Sequence, residues 1–404
     1  MVRYPAAGAG LLTELVINAS NVVSPLCYSL LRLEPYTICV FNCVYCYARW
    51  YYRWGFTEAS PRPVALRVFE RVARSIRRRG LLPIPIRLST LVDPFQPPEE
   101  VFKVSLRAME IALRYEYPLV INTKGVLLAR EPWRGVAEKL GDRGLLLLQV
   151  SVTSLDERVS KLLEPRAPPP GERLRLLKEF ADTGVPGVVR LSPYIPRVSA
   201  APSPEELAVR LREFGAKLVI VESLRLEKDR MPAVLRAVGA PGLELEPYSL
   251  REVPGAKPLV RPSLRVRLEE YSALRRALVK EGLRFATCKE GLFTLHTTPN
   301  CCGMHMFGVE VGYRPTLYEL YRLAAEAGGI AIEKLGDALE SICRDRRYLC
   351  GERLREYPRE VSKPLRYHEK KLLRVAKDPE MLPRVAPALT IAEGRVRAAK
   401  LPIP

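Results

Sequence analysis

Residues 39–49 read Cys39-Val-Phe-Asn-Cys43-Val-Tyr-Cys46-Tyr-Ala-Arg49. Three thiols spaced CxxxCxxC on one short loop can converge on a single centre, and the donor set selects the metal. A structural zinc takes four protein ligands, and no fourth stands nearby: Cys27 lies upstream, and the three histidines, His296, His305 and His368, come late. Three thiolates instead suit three irons of a [4Fe–4S] cube. The fourth iron is then open. A cluster dedicated to electron transfer is normally closed by four cysteines, so this loop points to a cluster that binds substrate or cofactor directly.

Outward from the loop, residues 33–222 alternate short β-branched or apolar runs with longer amphipathic, Arg-rich segments, the pattern of repeated βα units. Strands are expected at 33–39, 84–89, 119–123, 145–151, 187–192 and 217–222. Helices are expected near 62–80, 99–116, 130–141, 156–183 (broken at Pro168–170) and 203–214. Six parallel units build an open sheet or a partial barrel, and both place ligands at the C-terminal ends of the strands. The fold class is therefore α/β, a partial (βα)6 barrel over residues 1–225, followed by a Pro/Gly-rich connection at 226–264. An α-rich, Cys/His-bearing extension at 265–404 completes the chain, with helices near 265–281, 315–327 and 332–343 and a basic tail.

The blocks that fall at the expected strand ends resemble those of the radical S-adenosylmethionine (radical SAM) superfamily, within it the spore photoproduct lyase-like group. Besides the cysteines they are Glu34-Pro-Tyr36, Tyr45 to Arg49, Ser89-Thr90-Leu-Val-Asp93-Pro-Phe-Gln96-Pro97, Asn122-Thr123-Lys124, Ser151-Val-Thr153, Leu163-Glu164-Pro-Arg166 and Pro193-Tyr-Ile-Pro196. Together they cover about residues 30–225. The resemblance implies that the open iron of a cluster on Cys39, Cys43 and Cys46 chelates S-adenosylmethionine. An electron donor reduces the cluster, and a 5′-deoxyadenosyl radical abstracts hydrogen from a substrate. It also implies that Tyr45 faces the adenine, that Ser89, Thr90 and Asp93 contact the methionine amine and ribose, and that Ser151 and Thr153 border the same cofactor. The Gly-Gly-Glu type of motif common after the second strand of such enzymes is absent here, replaced by Ser89-Thr90 with Asp93.

Residues 285–308 add Cys288, Cys301, Cys302 and His305, followed by Cys343 and Cys350. A CxxH spacing and a turn-permitting glycine make the first four candidates for a second iron–sulfur cluster or zinc. The later pair are possible helpers or a disulfide. A thiol that returns hydrogen to a substrate radical is a third use for any accessible cysteine here. His368, within a basic stretch, is expected to be solvated, and Glu222 to end the sixth strand as a site residue or an ion-pair partner.

Composition bounds the rest. The 404 residues are 48% hydrophobic and 27% charged, which suits a large soluble core, and no apolar run reaches the roughly 20 residues that span a bilayer. The start lacks the layout of a secretory signal, so a cytoplasmic protein with reduced thiols is expected. The net charge of +19 favours a polyanion partner. Arg at 48 against 16 Lys, with only two Gln and five Asn, also suits heat adaptation. The basic excess is densest at 344–404, where Arg344, Arg346, Arg347, Lys370, Lys371 and Arg374 are candidate phosphate contacts. Trp50, Tyr51, Tyr52 and Trp54 could stack on an extruded base. Three functions follow: radical chemistry on nucleic acid, as base repair or RNA modification; the same chemistry on a protein, peptide or metabolite; and an iron–sulfur electron carrier or assembly protein.

Overall fold

In the computed structural model, which describes residues 15–50, 58–248 and 257–402, seven parallel strands form the central sheet. They are β1 (Leu31–Leu33), β2 (Ile86–Leu88), β3 (Leu119–Thr123), β4 (Leu146–Val152), β5 (Gly187–Tyr194), β6 (Ala216–Ser223) and β10 (Arg284–Thr287), in the order β1-β2-β3-β4-β5-β6-β10. Between β6 and β10, three short strands, β7 (Leu226–Glu227), β8 (Leu245–Pro247) and β9 (Leu259–Pro262), make an antiparallel sheet out of the Pro/Gly-rich connection.

Side-chain alternation divides each strand between two faces. Val120, Leu147, Val188, Leu218, Ile220 and Ala286 pack together in the lumen. Their neighbours Ile121, Leu148, Val189, Val219 and Phe285 pack outward under the helices. The helix Leu264–Lys280 contributes Leu268, Tyr271, Leu274 and Leu278 to that outer layer. It therefore serves β10 as the earlier helices serve their strands. A four-residue strand carries too little periodicity to stand out in sequence, and the barrel gains a seventh strand from the segment expected to lie beyond it.

Two boundaries differ for local reasons. The first strand ends at Leu33 rather than running to 39, because the Glu34 carboxylate turns in to accept the amides of Thr90 and Leu91 at 2.9 and 3.0 Å. The helix expected at 99–116 is two, Pro98–Phe102 and Val104–Arg114, divided where Lys103 adopts a left-handed φ of 52°.

Residues near 300–312 close the N-terminal end of the barrel. Gly308 N–H donates to Gly144 O just before β4 (3.0 Å), and Gly312 N–H to Pro83 O before β2 (2.8 Å). Gly303 turns there at φ +75°, a left-handed conformation that suits a residue without a side chain. The C-terminal region has its own core of Leu317, Leu320, Leu335, Leu372, Leu389 and Val396. The basic stretch is there a helix, Arg359–Ala376, with Val361, Leu365, His368 and Leu372 buried on one face. His368 is fully buried, not solvated: its Nε2 lies 2.7 Å from Ile17 O and its Nδ1 2.9 Å from Ser24 Oγ. Among the described residues no helix is long and apolar enough to cross a membrane.

Candidate cluster and cofactor site

The cysteine loop is fastened to the C-terminal ends of its neighbouring strands at both sides. Upstream, the Gln96 side chain accepts Val40 N–H (2.8 Å) and donates to Ile38 O (3.0 Å). Downstream, Val44 N–H donates to Leu163 O (2.8 Å), and Arg230 to Val44 O (3.0 Å). Inside the loop, Cys46 N–H donates to Cys43 O (3.2 Å), an oxygen that also accepts the Arg49 guanidinium. Cys43 is buried; Cys39 and Cys46 are partly exposed. Burial pushes the Cys43 thiol up to about 11, against the nearby Lys124 ammonium. Burial and then Asp93 push Cys39 up further. Loading these cysteines with iron must therefore release their protons.

Three carboxylates organise the expected cofactor residues. Glu34 accepts the hydroxyls of Ser89 and Thr90 together with the amides of Thr90 and Leu91. Asp93 accepts Thr123 Oγ1–H (2.7 Å) and the amides of Lys124 (2.6 Å) and Phe95 (3.0 Å), and burial nonetheless holds its pKa above the ordinary value. Glu164 accepts the hydroxyls of Tyr45 and Thr153 and pairs with Arg173 and Lys124. Burial works to raise its pKa, but Lys124 and Arg173 outweigh it and keep the carboxyl below its usual range. Ser151 donates to Asn122 Oδ1 at 3.0 Å.

All six expected residues thus stand at one end of the sheet, with the five hydroxyls and the Asp93 carboxylate already engaged. Glu34, Glu164 and Lys124 are the residues the sequence reading left without a role. Each stood in a quoted block, but a carboxylate's partners 55 or 119 residues away leave no local mark. Tyr47 donates to Thr90 O, closing the loop over the end of β2. Trp50 ends the turn Tyr47–Trp50, and Tyr51, Tyr52 and Trp54 lie outside the described residues.

The late cysteines meet elsewhere. Cys301 and Cys302 sit deep in the lumen with their sulfurs 3.8 Å apart, and Cys288 joins the same buried cluster. Cys27, set aside on sequence, is buried as well, its thiol donating to Ser29 O at 3.4 Å. His305 does not belong: its ring faces Arg284 (3.5 Å) and Asn300 (3.4 Å). Cys343 and Cys350 form a disulfide with each other. Among the described residues no three His, Cys, Asp or Glu side chains are set to hold one metal ion. For Cys39, Cys43 and Cys46 that spacing is no obstacle, since a cube offers each thiolate its own iron.

The basic tail is also displaced from expectation. Tyr313 and Tyr348 form a β-bridge, and Tyr357 donates to Leu82 O (2.8 Å), so residues 344–357 flank the N-terminal side of β2, away from the cysteine loop. Arg346 pairs there with Glu310 and Arg347 with Asp345.

Residues 33–202 match the Radical SAM superfamily model. The uncharacterized protein ORF301 of Acidianus two-tailed virus is 28% identical over 143 residues, 34% of this chain and 46% of its own length. The chain thus spans about half of that curated relative. A mutant of spore photoproduct lyase with bound AdoMet and dinucleoside spore photoproduct superposes with a TM-score of 0.51 at 14% identity, over 64% of this chain and 76% of its own. That likeness is one of fold. A radical SAM methyltransferase from Sphaerobacter thermophilus aligns at a TM-score of 0.41 and 18% identity, over 67% of this chain and 68% of its own.

Proposed function

We propose, from the match of residues 33–202 to the Radical SAM superfamily model, that this protein is a radical SAM enzyme acting on nucleic acid, with a [4Fe–4S] cluster on Cys39, Cys43 and Cys46. The observation that carries the reading is convergence. A thiol trio and the polar residues ending β2, β3 and β4 occupy the C-terminal end of one parallel sheet. The donor set fits the cluster, being three soft thiolates without a fourth ligand beside them.

When bound, the cluster and S-adenosylmethionine supply a 5′-deoxyadenosyl radical for hydrogen abstraction. The chain's part is to orient and shield them. Glu34 fixes the rotamers of Ser89 and Thr90, and Asp93 fixes the Lys124 backbone. Glu164 holds Tyr45, beside the last cysteine, against Thr153. Lys124, 5.7 Å from the Tyr45 ring and 3.9 Å from Glu164, would supply the cation for the cofactor's carboxylate. In this proposal the roles of Ser89, Thr90, Asp93, Ser151 and Thr153 are to wall the cofactor cavity. An external electron donor reduces the cluster. The second centre expected on the late cysteines is proposed only for the thiols Cys288, Cys301 and Cys302, since His305 turns to Arg284 and Asn300. Stoichiometric zinc or iron in a Cys39/Cys43/Cys46 triple alanine variant supports it, and none removes it.

The test is anaerobic reconstitution, reduction with dithionite, and quantification of 5′-deoxyadenosine and methionine from S-adenosylmethionine. The wild type forms both and the triple variant neither; a cluster-loaded wild type that forms none overturns the reading. Binding of mixed RNA and of duplex DNA across salt concentrations tests the substrate. Phosphate contacts impose a log–log slope of about 0.9 per contact on duplex DNA. Flat, weak binding to both would move the substrate to proteins, peptides or metabolites.

A further inference from the structure

Toward its C-terminal end the barrel lumen changes from apolar to strongly cationic. Arg190 of β5, Arg225 beyond β6 and Lys289 beyond β10 all converge on one carboxylate, Glu222, at 3.3, 2.8 and 3.3 Å. Arg87 of β2 stands in the same layer. It donates to Gln149 Oε1 at 3.0 Å, the oxygen that Arg190 also approaches at 3.4 Å, and among the described residues it pairs with no carboxylate.

The carboxylates farther out do not redress the balance. Glu290 and Glu246 are matched by Arg261 and Arg267, each of which contacts both, and Glu290 also takes Arg225 at 3.0 Å. Among the described residues, Glu222 therefore meets three cations, one of them shared with Glu290, while Arg87 stands beside Arg190 at Gln149. Cations are thus in excess in this layer. Burying ions without counter-ions is costly, and an arriving anion offsets the cost.

The excess opens to one side. Arg87 and Arg190 are nearly buried, and Lys289 is the most exposed of the four cations, its side chain 24% accessible. Its Nζ lies 5.8 Å from the Tyr47 ring, directly after Cys46 of the cluster loop. Lys289 also holds a left-handed φ of 57°, a conformation uncommon for a residue with a side chain and concentrated at functional sites. The basic tail, by contrast, flanks the other end of β2.

We propose that Lys289, Arg190 and Arg225, gathered around Glu222 at the barrel mouth, form an anion site that receives a phosphate group of the substrate beside the cluster. This rests on the radical SAM reading and narrows it: the substrate carries phosphate, from a polynucleotide backbone or from a small phosphorylated molecule. Guanidinium and ammonium groups together match a phosphate's several oxygens.

The experiment is calorimetric titration of the cluster-loaded full chain with the four nucleoside 5′-monophosphates, their parent nucleosides, and a short mixed-sequence single-stranded oligonucleotide. At least one monophosphate binds about ten-fold or more tighter than its nucleoside, as expected for a charge-assisted contact. Lys289→Gln abolishes that difference, and Lys289→Arg keeps it. A salt-steep preference for the oligonucleotide identifies the polymer, and preference for a monophosphate identifies the small molecule. Equal binding of nucleosides and monophosphates by the wild type overturns the proposal, as does loss of discrimination in both Lys289 variants. It also fails if Lys289→Gln weakens S-adenosylmethionine binding as much as phosphate binding, for the cations then serve the cofactor's carboxylate. Failure of the radical SAM reading shows separately, as a wild type that forms no 5′-deoxyadenosine whatever its phosphate affinity.

Discussion

Replacing Glu164 by Gln should be among the most damaging single changes to this domain. The Glu164 side chain is fully buried and its chief partner, Arg173, is 1% exposed. Removing one member of such a pair leaves an uncompensated charge, and breaking buried pairs typically costs about 3–5 kcal/mol. Against the roughly 5–15 kcal/mol that holds most domains together, that loss is severe. Arg173 also donates to Pro168 O (2.7 Å) and Ser151 O (3.1 Å). A Glu164→Gln/Arg173→Met double variant therefore recovers only part of the loss, since each of these carbonyls gives up a bond worth about 0.5–1.5 kcal/mol. The pair should be measured as a double-mutant cycle by chemical denaturation, and the expected coupling is about 1–3 kcal/mol. Acid supplies a second readout. The Glu164 carboxyl is held below its free value of 4.5, so its contribution is present above that pH and is lost as pH falls through the folded value. Glu164→Gln removes this acid-dependent loss. Iron incorporation should fall as well, because Glu164 holds Tyr45 and the adjacent Leu163 carbonyl holds Val44 in the cluster loop. Coupling below about 0.5 kcal/mol, the usual limit of additivity between independent sites, would show that the buried pair is not what secures this end of the barrel.

Two further predictions concern the C-terminal region. Burial, with Arg314 nearby, lowers the His368 pKa from 6.5 to about 4. The unfolded chain therefore takes up the proton first, and about 3 kcal/mol of stability is lost as pH falls from 6.5 toward 4. His368→Gln should lose that much less over the same interval, and parallel pH profiles would contradict the assignment. At Gly291, with φ +66°, an added Cβ would lie 2.2 Å from Ala386 Cα and 2.6 Å from Val385 O, backbone atoms that cannot rotate away. Gly291→Ala should cost about 2–4 kcal/mol from overpacking plus left-handed strain. Gly242→Ala, at φ +67° with nothing within 4 Å, should cost about 1–2 kcal/mol. Equal losses in denaturant midpoint for the two would remove the contact with Ala386 as the cause.

What the amino-acid sequence determined alone was the part of the molecule written locally. Cysteine spacing is a property of one short loop, and it is the basis of the proposed cluster with its open coordination position. The βα alternation placed six strands, with 119–123 reproduced residue for residue in Leu119–Thr123. It thereby placed Tyr45, Ser89, Thr90, Asp93, Ser151 and Thr153 at a common end, because parallel strands must all present their C-termini to one side. Tertiary structure decided which groups meet across the barrel. Glu34 reaches residues 55 to 57 positions away, Glu164 joins Tyr45 across 119, and His368 finds Ser24 across 344. The late cysteines read as a metal motif because they are close in sequence. The chain instead carries Cys301 and Cys302 into the lumen beside Cys288, and leaves His305 with Arg284 and Asn300. The cationic layer around Glu222 was invisible for the same reason: Arg87, Arg190, Arg225 and Lys289 come from four separate segments, each an ordinary basic residue in its own stretch. Only closing the sheet points them inward, because alternation along a strand decides which side chains face the lumen and curvature decides which of those face each other.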